Sequence, residues 1–209
     1  MQRKKLTIFL VAFFIILSAV FMGYFYKVTR VEGKKLPVLG YPGHKATGFV
    51  FTNQEGQTVT QDAIKGKIFV VEYFFTTCKG ICPKMNENMA KVYQAFRGNE
   101  DVKILSHTVD PLKDTVGAMK EYSLRFDADP KQWIFLTGDK KQLYDMARYS
   151  YLVTAADDTT IVDIESDFIH TDRFVLIDRQ GQVRGQYEGT NAGEVNQLIG
   201  DIKELLKEK

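Results

Sequence analysis

The chain of 209 residues contains only two cysteines, Cys78 and Cys82, and both fall in one stretch, Thr77-Cys78-Lys79-Gly80-Ile81-Cys82-Pro83. Two thiolates this close can join as a disulfide or hold one soft metal ion, but not both at once. A purely structural disulfide is the plainer alternative, although so short a loop would constrain little unfolded-chain entropy. Gly80 gives the loop the backbone freedom that either use requires.

The elements around the pair follow from pattern. Ile68 to Phe75 is nearly all apolar and aromatic, as expected for a strand covered on both faces. Pro83 to Phe96 puts Met85, Met89, Val92, Tyr93 and Phe96 at helical spacing, with Pro83 suited to a first turn. Further strands are predicted over Val102 to Val109 and Trp133 to Leu136. Helices are predicted over Asp114 to Phe126, with Asp114 as N-cap, and over Asp139 to Tyr149. Hairpins are predicted across Asn53-Gln54-Glu55-Gly56 and Arg179-Gln180-Gly181-Gln182. An amphipathic helix starting at Asn191 or Gly193 and ending at Lys207 closes the chain. This order implies an α/β fold, with a central mixed sheet flanked by helices. Strand 68–75, helix 83–97 and strand 102–109 should form a right-handed βαβ unit. The cysteine loop and the His107, Asp110, Pro111 segment then leave the same sheet edge, where open α/β sheets place ligands.

Strand, cysteine pair and helix together make a thioredoxin-like arrangement. The helix N-terminus favours thiolate over thiol, and Lys79 adds a cation. Thioredoxins separate their cysteines by two residues. The three here still allow a disulfide and also let both sulfurs turn toward a shared ion. In such folds the loop before the next strand, here Arg173 to Asp178, packs on the cysteine loop and usually carries a cis-proline. This chain has no proline after Pro130, and His170 stands in that neighbourhood. Two thiolates and one imidazole suit Cu(I); Cu(II) could use the same three with a weak fourth ligand.

With these residues in view, the chain resembles the Sco/SenC family of copper-binding, thioredoxin-like assembly factors for cytochrome c oxidase. The resemblance rests on the N-terminal anchor, Phe74-Phe75-Thr76-Thr77-Cys78 to Cys82-Pro83, Val109-Asp110-Pro111-Leu112-Lys113-Asp114-Thr115, Trp133 to Gly138, and His170 before Phe174-Val175-Leu176-Ile177-Asp178. It covers nearly all of residues 46–209. It implies copper ligation by Cys78, Cys82 and His170. It also implies assistance to the CuA centre in subunit II of cytochrome c oxidase, with periplasmic copper donors or thiol reductants as further partners. The family often has proline after the first cysteine, where this chain has Lys79. The other function class is a thiol–disulfide oxidoreductase, with Cys78 and Cys82 as a catalytic redox pair. A structural zinc module comes third, because zinc normally takes four ligands and only three are evident.

No charged residue occurs from Leu6 to Tyr26. As a helix this segment is roughly 31 Å long, enough to cross a bilayer core. Its length and its aromatic exit at Phe21, Tyr24, Phe25 and Tyr26 favour an uncleaved anchor over a signal peptide. No cysteine lies near it, which excludes a lipoprotein. Residues 1–5 read as a cytoplasmic tail, 6–26 as the anchor, 27–45 as a linker and 46–209 as the thioredoxin-like domain. Positive charge is nearly balanced across the anchor; an N-inside orientation, with the domain facing the periplasm from the bacterial inner membrane, suits the chemistry. Residues 1–35 hold seven of the 28 basic residues and one of the 26 acidic ones, so the remainder carries a net charge of −4. No basic stripe runs through it, which argues against nucleic acid.

Other candidates have plainer readings. His44, in the linker, is expected to be solvated. His107 reads as a strand-end residue rather than a support for the site. Asp110 should shape an Asp-Pro turn. Met85 and Met89 fit core packing better than metal ligation. Asp157, Asp158, Asp163, Glu165 and Asp167 read as a solvated acidic loop.

Overall fold

The structure, a computed structural model, describes residues 2–29, 35–153 and 171–208. His170 and the acidic segment 157–167 lie outside the described residues. The chain divides into two units, Met1–Lys35 and Leu36–Lys209. The first holds helix α1, Gln2–Thr29, whose span Thr7–Phe25 is long and apolar enough to cross a membrane.

The second unit is a seven-stranded mixed sheet in the order β2-β1-β5-β4-β3-β6-β7. Its strands are β1 Val50–Asn53, β2 Thr58–Thr60, β3 Ile68–Phe74, β4 Val102–Thr108, β5 Trp133–Thr137, β6 Arg173–Ile177 and β7 Val183–Glu188. β3, β4 and β5 are parallel and the outer pairings antiparallel. All seven residues of β3 are buried, because helices cover both faces. One face packs Ile68, Val70 and Phe74 against Met85, Met89 and Val92 of α2 (Cys82–Phe96), Met119 of α3 (Val116–Leu124), and Val195, Leu198 and Ile202 of α5 (Ala192–Lys207). The other packs Phe69, Val71 and Tyr73 against Leu143 and Tyr144 of α4 (Lys140–Asp145), which runs on into a π-turn at Met146–Ser150. Met85 and Met89 are thus core residues, as their spacing predicts.

Two expectations are corrected. Asp114 is not the cap of α3. Thr115 takes that role, its hydroxyl accepting from Ala118 N, while Asp114 is fully buried one residue earlier. His44 is not solvated: it is 2 % exposed, and its Nε2 lies 2.9 Å from the Ser150 carbonyl. Residues 36–45 belong to the compact unit. Leu36 is buried in the first core, and Leu39 N–H donates to Val183 O at 2.8 Å.

Candidate metal and redox site

β3 and β4 run parallel and in register, with Phe74 opposite Thr108, so both chains leave the sheet at one edge. The last ladder bond is Val109 N–H to Phe74 O, 2.9 Å. Beyond it the β3 chain becomes the cysteine loop. Cys78 N–H donates to Phe75 O at 3.2 Å, and the loop ends as Cys82 opens α2. Both cysteines are free thiols, Cys78 half-buried and Cys82 buried.

Helix α2 has no side-chain cap, and Pro83 brings no N–H to its first turn. The Cys78 sulfur takes up donors there instead. Burial opposes ionisation of Cys78, but hydrogen bonds from the Cys82 thiol and from the backbone N–H groups of Cys82, Gly80 and Ile81 outweigh it and hold its pKa below the usual thiol value. Cys82 goes the other way. Burial, the thiol proton it shares with Cys78, and the nearby Cys78 and Glu72 charges push it up to about 12. One sulfur is therefore poised as a nucleophile or ligand, while the other keeps its proton until something displaces it. Lys79 is exposed.

The pair opens into a cleft of about 440 Å³ lined by Tyr73, Phe75, Ile81, Val109 and Thr171 as well as the cysteines. Thr171 is the residue next to His170 in the chain. Among the described residues no group of three or more His, Cys, Asp or Glu side chains could hold a metal. Two thiols on one wall are a soft donor pair that needs a third ligand from elsewhere. A larger cleft of about 720 Å³, between Thr47–Phe51 and Lys141–Ser150, contains no thiol or imidazole.

His107 does not join the cysteines. It is fully buried on the opposite face, stacked on Tyr73 at 5.2 Å between centroids and edge-on to Phe51, with neither ring nitrogen hydrogen-bonded. Burial holds it neutral, its pKa lowered to about 3. Asp110 shapes its turn, its carbonyl accepting from Lys113 N and Asp114 N.

Two polar residues near the pair have site roles that the sequence reading did not assign. Glu72, in β3, is fully buried, and burial raises its pKa to about 7; Ser106 Oγ donates to its Oε1 and in turn accepts from the Trp133 indole N–H. Its signal was being the one charged residue in the apolar run Ile68 to Phe75. Asp114 accepts from the Thr76 N–H and from the Thr76 and Thr108 hydroxyls, and its signal was a second acid closing the Asp-Pro turn.

A family model described as SCO1/SenC matches residues 40–207. The chain belongs to the SCO1/SenC family. A SCO1 protein homolog of Bacillus subtilis is 29 % identical over 157 residues, which is 74 % of this chain and 79 % of that protein. The solved structure of BsSco, described as having a disulfide switch and as a member of the Sco family of cytochrome c oxidase assembly proteins, has a TM-score of 0.68. It is 26 % identical and covers 84 % of this chain and 99 % of its own. Arabidopsis thaliana ScoI, solved with copper bound, is also 26 % identical, with a TM-score of 0.58, covering 78 % of this chain and 98 % of its own. The fold is therefore the thioredoxin-like fold of this family, preceded by one apolar helix.

Proposed function

We propose that this protein is a membrane-anchored copper chaperone that binds copper through Cys78, Cys82 and His170. The observation that carries the reading is the thiol pair itself: two free, hydrogen-bonded sulfurs at the mouth of a cleft, in a SCO1/SenC chain. Soft thiolates suit Cu(I), and an imidazole completes a three-donor set. Thr171 lining the cleft supports His170 as that donor. Copper uptake must displace the proton held by Cys82, which couples loading to proton release. Oxidation of the pair to a disulfide removes two donors together and closes the site to metal.

With α1 as an uncleaved anchor, residues 1–5 stay in the cytoplasm and the domain works at the outer face of the inner membrane. The copper-bound and oxidase-assembly descriptions of the relatives support delivery to the CuA centre in subunit II of cytochrome c oxidase. The test is anaerobic Cu(I) loading of the reduced chain. The wild type should retain about one copper per chain, and Cys78→Ser, Cys82→Ser and His170→Ala should lose it to a competing chelator. No retained copper, or equal retention by His170→Ala, refutes the reading.

The opposite pKa shifts of the two cysteines favour a second activity, reduction of a disulfide in an exported partner. Cys78 would attack and Cys82 would resolve, leaving the partner with two thiols and this chain with one disulfide. A Cys82→Ser chain should then trap a mixed disulfide through Cys78, with His170→Ala making no difference to its rate.

A further inference from the structure

We propose that Asp114 is the positioning residue of the cysteine pair, the group that keeps Cys78 within reach of Cys82. This rests on the reading of Cys78 and Cys82 as the working site. Asp114 is fully buried. A buried carboxylate is costly unless its oxygens are hydrogen-bonded. Here they are occupied by donors from the two diverging chains. Oδ1 accepts from Thr76 N–H at 3.1 Å and from the Thr76 hydroxyl at 2.5 Å. Oδ2 accepts from the Thr108 hydroxyl at 2.5 Å, with Thr76 N–H at 3.3 Å. The Thr108 oxygen also accepts from Asp110 N–H at 2.9 Å, and Asp114 N–H donates to Asp110 O at 2.9 Å.

Thr76 lies two residues before Cys78, just past the end of the β3–β4 ladder. Its N–H lies beyond the last paired residue, Phe74, and donates to the Asp114 carboxylate. At the other end of the loop, Cys82 is held in α2, where its carbonyl accepts from Asn86 Nδ2 at 3.0 Å. Between these ends Thr77, Lys79, Gly80 and Ile81 are exposed, and the Cβ direction of Gly80 meets nothing within 4 Å. Any rearrangement between dithiol, disulfide and metal-bound states is then confined to residues 77–81. Without Asp114 the Cys78 end is released too, and the effective concentration of one sulfur at the other falls.

The test is the equilibrium of the full-length chain in detergent with glutathione, in which the protein disulfide and two glutathione thiols exchange for the dithiol and one glutathione disulfide. Asp114→Asn offers one acceptor oxygen where the carboxylate offered two. We expect the equilibrium constant to move about tenfold toward the dithiol, equivalent to about 30 mV for this two-electron couple. Thr76→Val should move it the same way by less, and Thr76→Ser, which keeps the hydroxyl, should leave it in place. Leu205→Ala, a cavity in the far part of α5, should lower the melting temperature without moving the equilibrium. Wild-type equilibria in both Asp114→Asn and Thr76→Val, with only melting temperatures lowered, overturn the proposal. Should Asp114→Asn not fold, the two Thr76 variants decide alone. A chain that holds no copper but shows the shift upholds Asp114 and removes the copper reading. One that holds copper without the shift does the reverse.

Discussion

Glu72 gives a prediction with a worked magnitude. Its ordinary carboxylate value of 4.5 is raised to about 7, by burial first and against the opposing hydrogen bond from Ser106. Between those values the folded chain holds a proton that the unfolded chain has released. Raising the pH through this window therefore favours unfolding, and the penalty is complete above about pH 7. At 1.36 kcal/mol per pKa unit it amounts to about 3 kcal/mol. Glu72→Gln keeps the shape of the protonated acid without the titration. In urea unfolding of the reduced, metal-free protein, followed by the fluorescence of the only tryptophan, Trp133, the variant should gain about 3 kcal/mol over wild type at pH 8. At pH 5 the gain should shrink below about 1 kcal/mol. A difference of equal size at both pH values refutes the reasoning, because it would come from packing and not from the proton.

Three further outcomes follow from the same structure. His107, lowered to about 3 by burial, refuses a proton that the unfolded chain accepts below its ordinary 6.5, so its contribution to stability is lost as pH falls through that window. His107→Phe should therefore unfold at lower pH than wild type in an acid titration by circular dichroism, with the two converging at pH 7. Pulse alkylation at neutral pH should label Cys78 well before Cys82, read by peptide mass spectrometry, and equal rates would contradict their opposite shifts. Arg184→Ala should cost about 3–5 kcal/mol in denaturant unfolding, because it strands the buried Asp178 carboxylate now 2.9 Å from the guanidinium.

Much of the fold was legible because each element carries its own period. The continuous apolar run of β3 announced a doubly covered strand, and five of the eight buried residues of α2, Met85, Met89, Val92, Tyr93 and Phe96, were named from spacing alone. The cysteine loop was legible for a related reason, since chain order fixes which sheet edge a βαβ unit presents. What escaped was polar burial. Asp114 followed by Thr115 offers two side chains able to cap a helix, and only the tertiary pull of Thr76 and Thr108 on the carboxylate leaves the cap to Thr115. His44 sits among glycines and a proline, and nothing local foretells a carbonyl more than 100 residues away. Glu72 was visible as a misfit in its strand, but the Ser106 and Trp133 side chains lined up beside it come from two other strands.

Arg184 has a mechanical consequence. Its guanidinium grips the carbonyls of Leu36 and Pro37, where the compact unit begins, together with Asp178 and with Glu208 near the end of the chain. These contacts gather at the β6–β7 turn, and β6 runs antiparallel to β3, so they lie at the edge opposite the cysteine loop. A pull on the chain at Leu36 would first meet this ionic cluster, which also holds Glu208 near the end of the chain. The length of the sheet, about 20 Å for a seven-residue strand, separates that cluster from the thiols.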